Sequence, residues 1–134
     1  MVSGLLQELR YRRLWWAIGL GLVALVVYLS LTPLPPDVPD VAGFDPGHFV
    51  AYFTLMGWWA QLVRRGWGRV AIAAALVALG IGLEFAQALT GYRTFDLLDM
   101  RDDAIGVGAA FVLTLSPLGE ALAALERRLA RTRR

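Results

Sequence analysis

Val70–Leu89, VAIAAALVALGIGLEFAQAL, decides what kind of protein this is. The run carries a single ionisable side chain, Glu84, and Gly91 follows as a helix stop. As a helix rising about 1.5 Å per residue it reaches about 30 Å, the thickness of a bilayer's hydrocarbon core. The rest of the chain is of the same character. Its 134 residues are 57% hydrophobic, with a mean hydropathy of +0.55. That is too apolar for a soluble domain and too short for two domains. The expected architecture is all-α: one integral membrane domain, a four-helix bundle.

Working outward, three more apolar segments surround this one, so that the expected spans cover about 14–31, 46–63, 70–89 and 98–115. The first follows Arg10, Arg12 and Arg13 and resembles a signal peptide. It is longer than a signal core and lacks a small-residue cleavage pattern, so it reads as a retained helix stopped by Pro33, Pro35 and Pro36. Asp45-Pro46 looks like a helix start, with Asp45 as cap and Pro46 in the first helical position. The second and fourth spans are short or interrupted by charge; the alternation of charged flanks supports them. Arg10, Arg12 and Arg13 are followed by Asp37, Asp40 and Asp45, then Arg64, Arg65 and Arg69, then a mainly acidic stretch through Asp103, then Arg127, Arg128, Arg131, Arg133 and Arg134. Positive flanks stay in the cytoplasm, which requires four crossings of an inner (plasma) membrane with both termini inside.

Trp15, Trp16, Trp58, Trp59 and Trp67 fall near the expected cytoplasmic interface and read as an anchoring belt. Leu118, Leu122, Leu125 and Leu129 form one stripe of the tail, which is either an interfacial amphipathic helix on anionic lipid or a frayed basic tail. Ala74, Ala78, Gly82 and Ala86 offer a face of close helix approach, and Gly106 with Ala110 a second. The net charge of +2 does not point to nucleic acid, because the basic residues flank apolar spans and form no basic face. The absence of cysteine excludes disulfides and thiolate chemistry.

The outer ends hold the polar residues able to do chemistry. Glu84, inside an apolar helix, needs a partner and is either a packing carboxylate or a general acid–base. Gln87 shares its face. His48, the one histidine, can donate to a carboxylate, move a proton or ligate a metal, and Tyr52 lies one turn deeper. Arg93 is one of two arginines at the outer side; it binds a phosphate or carboxylate, or pairs with Asp96 or Asp99. Asp96, Asp99 and Asp103 form one stripe if helical, while Arg101 and Asp102 point away into solvent. That many carboxylates require Arg93, His48, a bound cation or shared protons. No nucleophilic serine motif, phosphate loop or zinc motif is present.

In order, Ser30-Leu31-Thr32-Pro33, His48-Phe49-Val50-Ala51-Tyr52, Glu84-Phe85-Ala86-Gln87 and Arg93-Thr94-Phe95-Asp96-Leu97-Leu98-Asp99 resemble the VanZ-like family of small bacterial membrane proteins. The likeness covers roughly Ser30 to Ala110. It departs from the family where Asp103 stands in place of asparagine and Ala110 in place of a second glycine. The resemblance implies a four-span membrane domain and, at most, a relation to glycopeptide antibiotic resistance, the property linked to one member.

Together these readings give an outward-facing polar site that binds or acts on a polar head group, such as an anionic phospholipid or a lipid-linked cell-envelope precursor. Glu84, His48, Asp99 and Asp103 would be catalytic. Arg93, Gln87, Tyr52 and Asp96 would bind substrate. A divalent cation held by Asp96, Asp99 and Asp103 is the one cofactor the residues suggest. The alternative is a non-catalytic membrane protein whose polar network is structural, or binds an envelope partner or a glycopeptide without turnover. A half-transporter is the weaker third reading, because the deep parts of the spans hold almost no ionisable groups.

Overall fold

The computed structural model describes residues 6–132; Arg133 and Arg134 of the expected cytoplasmic tail lie outside them. Among the described residues the fold is all-helical: α1 (Arg12–Leu31), α2 (Pro46–Ala60), α3 (Trp67–Thr90), α4 (Leu97–Leu113) and α5 (Ala121–Thr132), with a 3-10 turn at Pro117–Glu120 before α5. α1 and α3 are each long and apolar enough to cross a membrane. α2 and α4 are shorter, and α5 leaves the end of α4 at 84°.

Local chemistry explains the boundaries. Asp45 caps α2, its Oδ1 accepting from the backbone N–H groups of Gly47 (2.6 Å) and His48 (3.2 Å), and Pro46 needs no such partner. α3 ends at Gly91, whose φ of +77° is the left-handed conformation that favours glycine. Asp96 caps α4 through Leu98 N–H.

The core is α2 wrapped by its neighbours: Tyr52, Leu55, Met56 and Trp59 meet Leu76 of α3 and Val107 and Ala110 of α4. α2 and α4 pack most extensively. Gly106 makes that possible, because a Cβ there would stand 2.5 Å from the Phe49 carbonyl oxygen. The other small-residue stripe does not serve as expected. Ala74, Ala78 and Gly82 are exposed, and α3 instead turns Leu76, Gly80, Leu83, Glu84 and Gln87 inward. Helical spacing put both faces on offer, and α3 takes the one that buries its polar groups.

Four of the five tryptophans pack on one another at the arginine end. Trp15 and Trp58 meet edge-to-face, as do Trp16 and Trp59, closing the α1–α2 contact over Gly19. Trp67 alone of the five is largely exposed, at 83%.

The arginine end is knitted together by side chains bonded to backbone. Arg69, expected among the cytoplasmic flanking charges, is 1% exposed and donates to the carbonyls of Thr114 and Gly119 (2.7 Å for the second). Arg65 donates to those of Leu115 (2.8 Å) and Ser116 (2.9 Å) and pairs with Glu120. The carbonyls of Thr114, Leu115 and Ser116 lie at or just past the C-terminus of α4, where partial negative charge collects, and that of Gly119 lies in the following 3-10 turn. The tail is a helix anchored to this end. Glu126 accepts from Arg10 N–H (2.6 Å), Tyr11 N–H (2.9 Å) and Trp15 Nε1–H (2.7 Å). Burial alone would raise the Glu126 carboxyl, but those donors and the Arg10 charge hold it below the ordinary 4.5.

Candidate functional site

At the opposite end the starts of α2 and α4 meet the ends of α1 and α3, and His48 is the hub. Its Nδ1 lies 2.8 Å from Asp103 Oδ1. Its Nε2 lies 3.4 Å from Asp99 Oδ2 and 3.9 Å from Asp45 Oδ2. A carboxylate only accepts, so the Asp103 contact places the proton on Nδ1 and leaves Nε2 facing the other two acids. Asp103 is buried and packs against Gly80 of α3, where a Cβ would come within 2.6 Å of its Oδ2. Asp45, His48 and Asp99 together offer ligand atoms that all lie within 4.8 Å of one another.

A cavity of about 340 Å³ opens beside the imidazole. Ser30, Asp37, Asp45, His48, Tyr52 and Arg93 line its polar side, and Val26, Leu29 and Ala51 belong to its apolar side. Arg93 makes no ion pair among the described residues, so the expected alternative of a salt bridge to Asp96 or Asp99 is not formed. The Tyr52 hydroxyl is buried without a hydrogen-bond partner.

Other expected site residues are placed differently. Glu84 is 1% exposed; its Oε2 accepts from Asp96 N–H at 2.6 Å, and its Oε1 has no partner. Gln87 shares the buried face and donates to the Ser30 carbonyl at 2.8 Å, fastening α3 to the end of α1. Asp96 does not join a stripe with Asp99 and Asp103. It precedes the helix, is exposed, and caps Leu98. The oxygen-only cation set of those three acids is therefore not assembled; Asp99 and Asp103 instead meet opposite sides of one imidazole.

Sequence reasoning set Asp45 and Asp102 among the acidic flanks of this end but not in the site. Asp45 is expected as a cap and a flanking charge, and only the fold turns its second oxygen to His48. Asp102 was expected in solvent but is 1% exposed. It accepts from Asp45 N–H (2.8 Å) and Arg101 Nε–H (2.7 Å), while Arg101 also reaches the Gly43 carbonyl. The signal available was the neighbouring Arg101, a charge partner able to neutralise a buried acid.

The comparisons correct one expectation. The chain is similar to an uncharacterized protein of Schizosaccharomyces pombe, 34% identical over 103 residues, which cover 74% of this chain and 61% of that protein. The chain thus spans about three-fifths of the length of the relative it matches. No family model matches the chain, and no solved structure matches it. The relative is fungal and the VanZ-like model is not matched, so the resemblance to that bacterial family is not upheld. The inferences drawn from it, glycopeptide resistance among them, go with it. The readings from charge, burial and spacing do not depend on it.

Proposed function

We propose that this is a multi-pass membrane protein that binds, and acts on, an anionic polar head group at the His48 end of a four-crossing bundle. α1 and α3 have the length and hydropathy to cross unaided. α2 and α4 cross as the buried partners of that pair, with modest local thinning of the bilayer accommodating their length. The alternation of arginine-rich and acid-rich ends sets the arginine end in the cytoplasm.

The observation that carries the reading is the cavity, which joins Arg93, free of ion pairs among the described residues, to an imidazole flanked by carboxylates, beside an apolar wall suited to the start of an acyl chain. Arg93 holds the anionic group by paired N–H contacts. His48 exchanges a proton with the bound group, and Asp103 fixes its ring. Glu84 keeps one oxygen on the loop and one without a partner, so it remains the second candidate for proton transfer.

A specific observation favours the non-catalytic reading for part of the network. Gln87, Asp102 and one oxygen of Glu84 bond to backbone groups of other segments, as structural ties do. One experiment separates the two readings. Full-length protein in nanodiscs is assayed by native mass spectrometry for retention of phosphatidylglycerol over phosphatidylcholine, and by chromatography for head-group release. Arg93→Gln should abolish the preference and His48→Ala the release, both with an unchanged melting temperature. Loss of abundance and melting temperature together, with no lipid preference in the wild type, would establish the structural reading.

A further inference from the structure

The His48 cluster has a geometry that proton exchange alone does not require. Asp45 caps α2 with Oδ1 and turns Oδ2 toward His48 Nε2 at 3.9 Å; Asp99 Oδ2 stands 3.4 Å from the same nitrogen. Both separations exceed an ordinary N–H···O hydrogen bond. They approach the spacing of neighbouring ligands around one small ion, since two atoms each about 2.0–2.1 Å from a metal lie about 2.9–3.4 Å apart at octahedral to tetrahedral angles. Behind the ring, Asp103 accepts from Nδ1 at 2.8 Å, the contact that fixes the tautomer of a metal-ligating imidazole.

The cluster of acids does not stand alone. Tyr52, one turn further along α2, is 2% exposed, lines the same cavity as His48 and Asp45, and has a hydroxyl with no hydrogen-bond partner. A buried hydroxyl normally finds a partner, and an oxygen bound in that cavity would supply one. The cavity therefore offers a donor for a ligand, and two of the three candidate ion ligands, Asp45 and His48, line it.

We propose that Asp45, His48 and Asp99 bind one divalent transition-metal ion whose open positions face the cavity, with Asp103 as the positioning residue behind His48. The imidazole ligand selects against magnesium and calcium, which take oxygen, and suits zinc, manganese or iron. The inference rests on the head-group reading of the cavity and narrows it: metal and Arg93 on two sides, with the Tyr52 hydroxyl donating, make a site for a phosphate- or carboxylate-bearing head group.

The test uses the full chain in detergent, stripped with a chelator and titrated with Zn²⁺ by equilibrium dialysis and with Co²⁺ by visible absorption. One ion per chain is expected, with Co²⁺ bands in the visible region. His48→Ala and Asp99→Asn should weaken binding at least about 100-fold, and Asp103→Asn by about 10–100-fold. Asp96→Asn, on an exposed cap, should change nothing. Melting curves accompany each variant, and Asp99→Asn decides if His48→Ala fails to fold. No stoichiometric ion in the wild type, or equal affinity in the wild type and Asp99→Asn, overturns the metal site. The lipid assay keeps the two ideas apart. If the stripped protein keeps an Arg93-dependent preference for phosphatidylglycerol yet binds no ion, the metal inference alone fails. If Zn²⁺ binds through His48 and Asp99 while Arg93→Gln leaves lipid retention unchanged, the head-group reading fails and the metal site stands.

Discussion

The two ends of the bundle use charge in opposite ways. At the arginine end, Arg65, Arg69 and Glu126 direct their groups at backbone carbonyls and N–H groups, and of these side-chain atoms Arg69 Nε is the one buried without a partner. At the acidic end, Asp45, Asp99 and Asp103 crowd one imidazole, and among the described residues Arg93 has no acidic partner and the buried Tyr52 Oη and Glu84 Oε1 have no hydrogen-bond partner. Bonds from charged groups to backbone tie segments together. Charged groups set against one another, with donors and acceptors left over, are poised for something else to bind. If that contrast is right, changes at the arginine end should cost stability, and changes at the acidic end should cost binding.

The largest loss of stability is expected from Arg69→Met. It removes the charged donor from the Thr114 and Gly119 carbonyls, where hydrogen bonds to a charged group contribute about 1.5–3 kcal/mol each. A loss of about 3 kcal/mol or more should appear in detergent unfolding curves, with α5 losing protection from hydrogen exchange first. An unchanged melting temperature would remove the structural half of the comparison.

Glu126→Gln should cost somewhat less, about 2 kcal/mol, since an amide oxygen in place of Oε1 still accepts from Tyr11 N–H and Trp15 Nε1–H while the amide N–H groups face the Arg10 N–H. It also carries a pH signature. The folded carboxyl titrates below its ordinary 4.5, so its contribution is fully present above that value and is lost as pH falls through the lower folded value. The wild type should therefore lose stability below about pH 4.5, and that part of the acid arm should be absent in Glu126→Gln. Melting temperatures measured from pH 3 to pH 7 would show it.

Gly106→Ala probes the seam joining the two ends. The new Cβ meets the Phe49 carbonyl, so α2 and α4 must separate, at about 1–3 kcal/mol. Phe49 adjoins His48, so this substitution should also weaken whatever the cavity binds, which neither arginine-end variant should do.

These expectations mark what could be read from the chain. The helical class was legible, because apolar runs, Asp45-Pro46 and Gly91 each act through neighbours in sequence. His48 and Asp103 were legible as polar groups in apolar surroundings. Their pairing across 55 positions was not, since it depends on which faces α2 and α4 present. Asp102 was misplaced, and the burial of Arg69 missed, for a related reason: flanking charge implies solvent unless tertiary structure brings carbonyls, or a partner such as Arg101, close enough to replace water.

The smallest effects sharpen the comparison most. Asp99→Asn removes one of three acids around His48 without deleting a hydrogen bond of ordinary length, so stability should shift by less than about 1 kcal/mol, in either direction. Ala78→Leu, on the exposed face of α3, should shift it by no more than about 0.5 kcal/mol, because nothing in the fold packs there. The two variants then part company. Asp99→Asn should lose cavity binding while Ala78→Leu keeps it, showing that a stability-neutral change disables the protein only where charge is set against charge. If Ala78→Leu instead lowered the particle mass seen by light scattering in detergent, the outward small-residue face of α3 would be a contact between copies, and burial at that helix would have to be reassigned before the two ends could be compared.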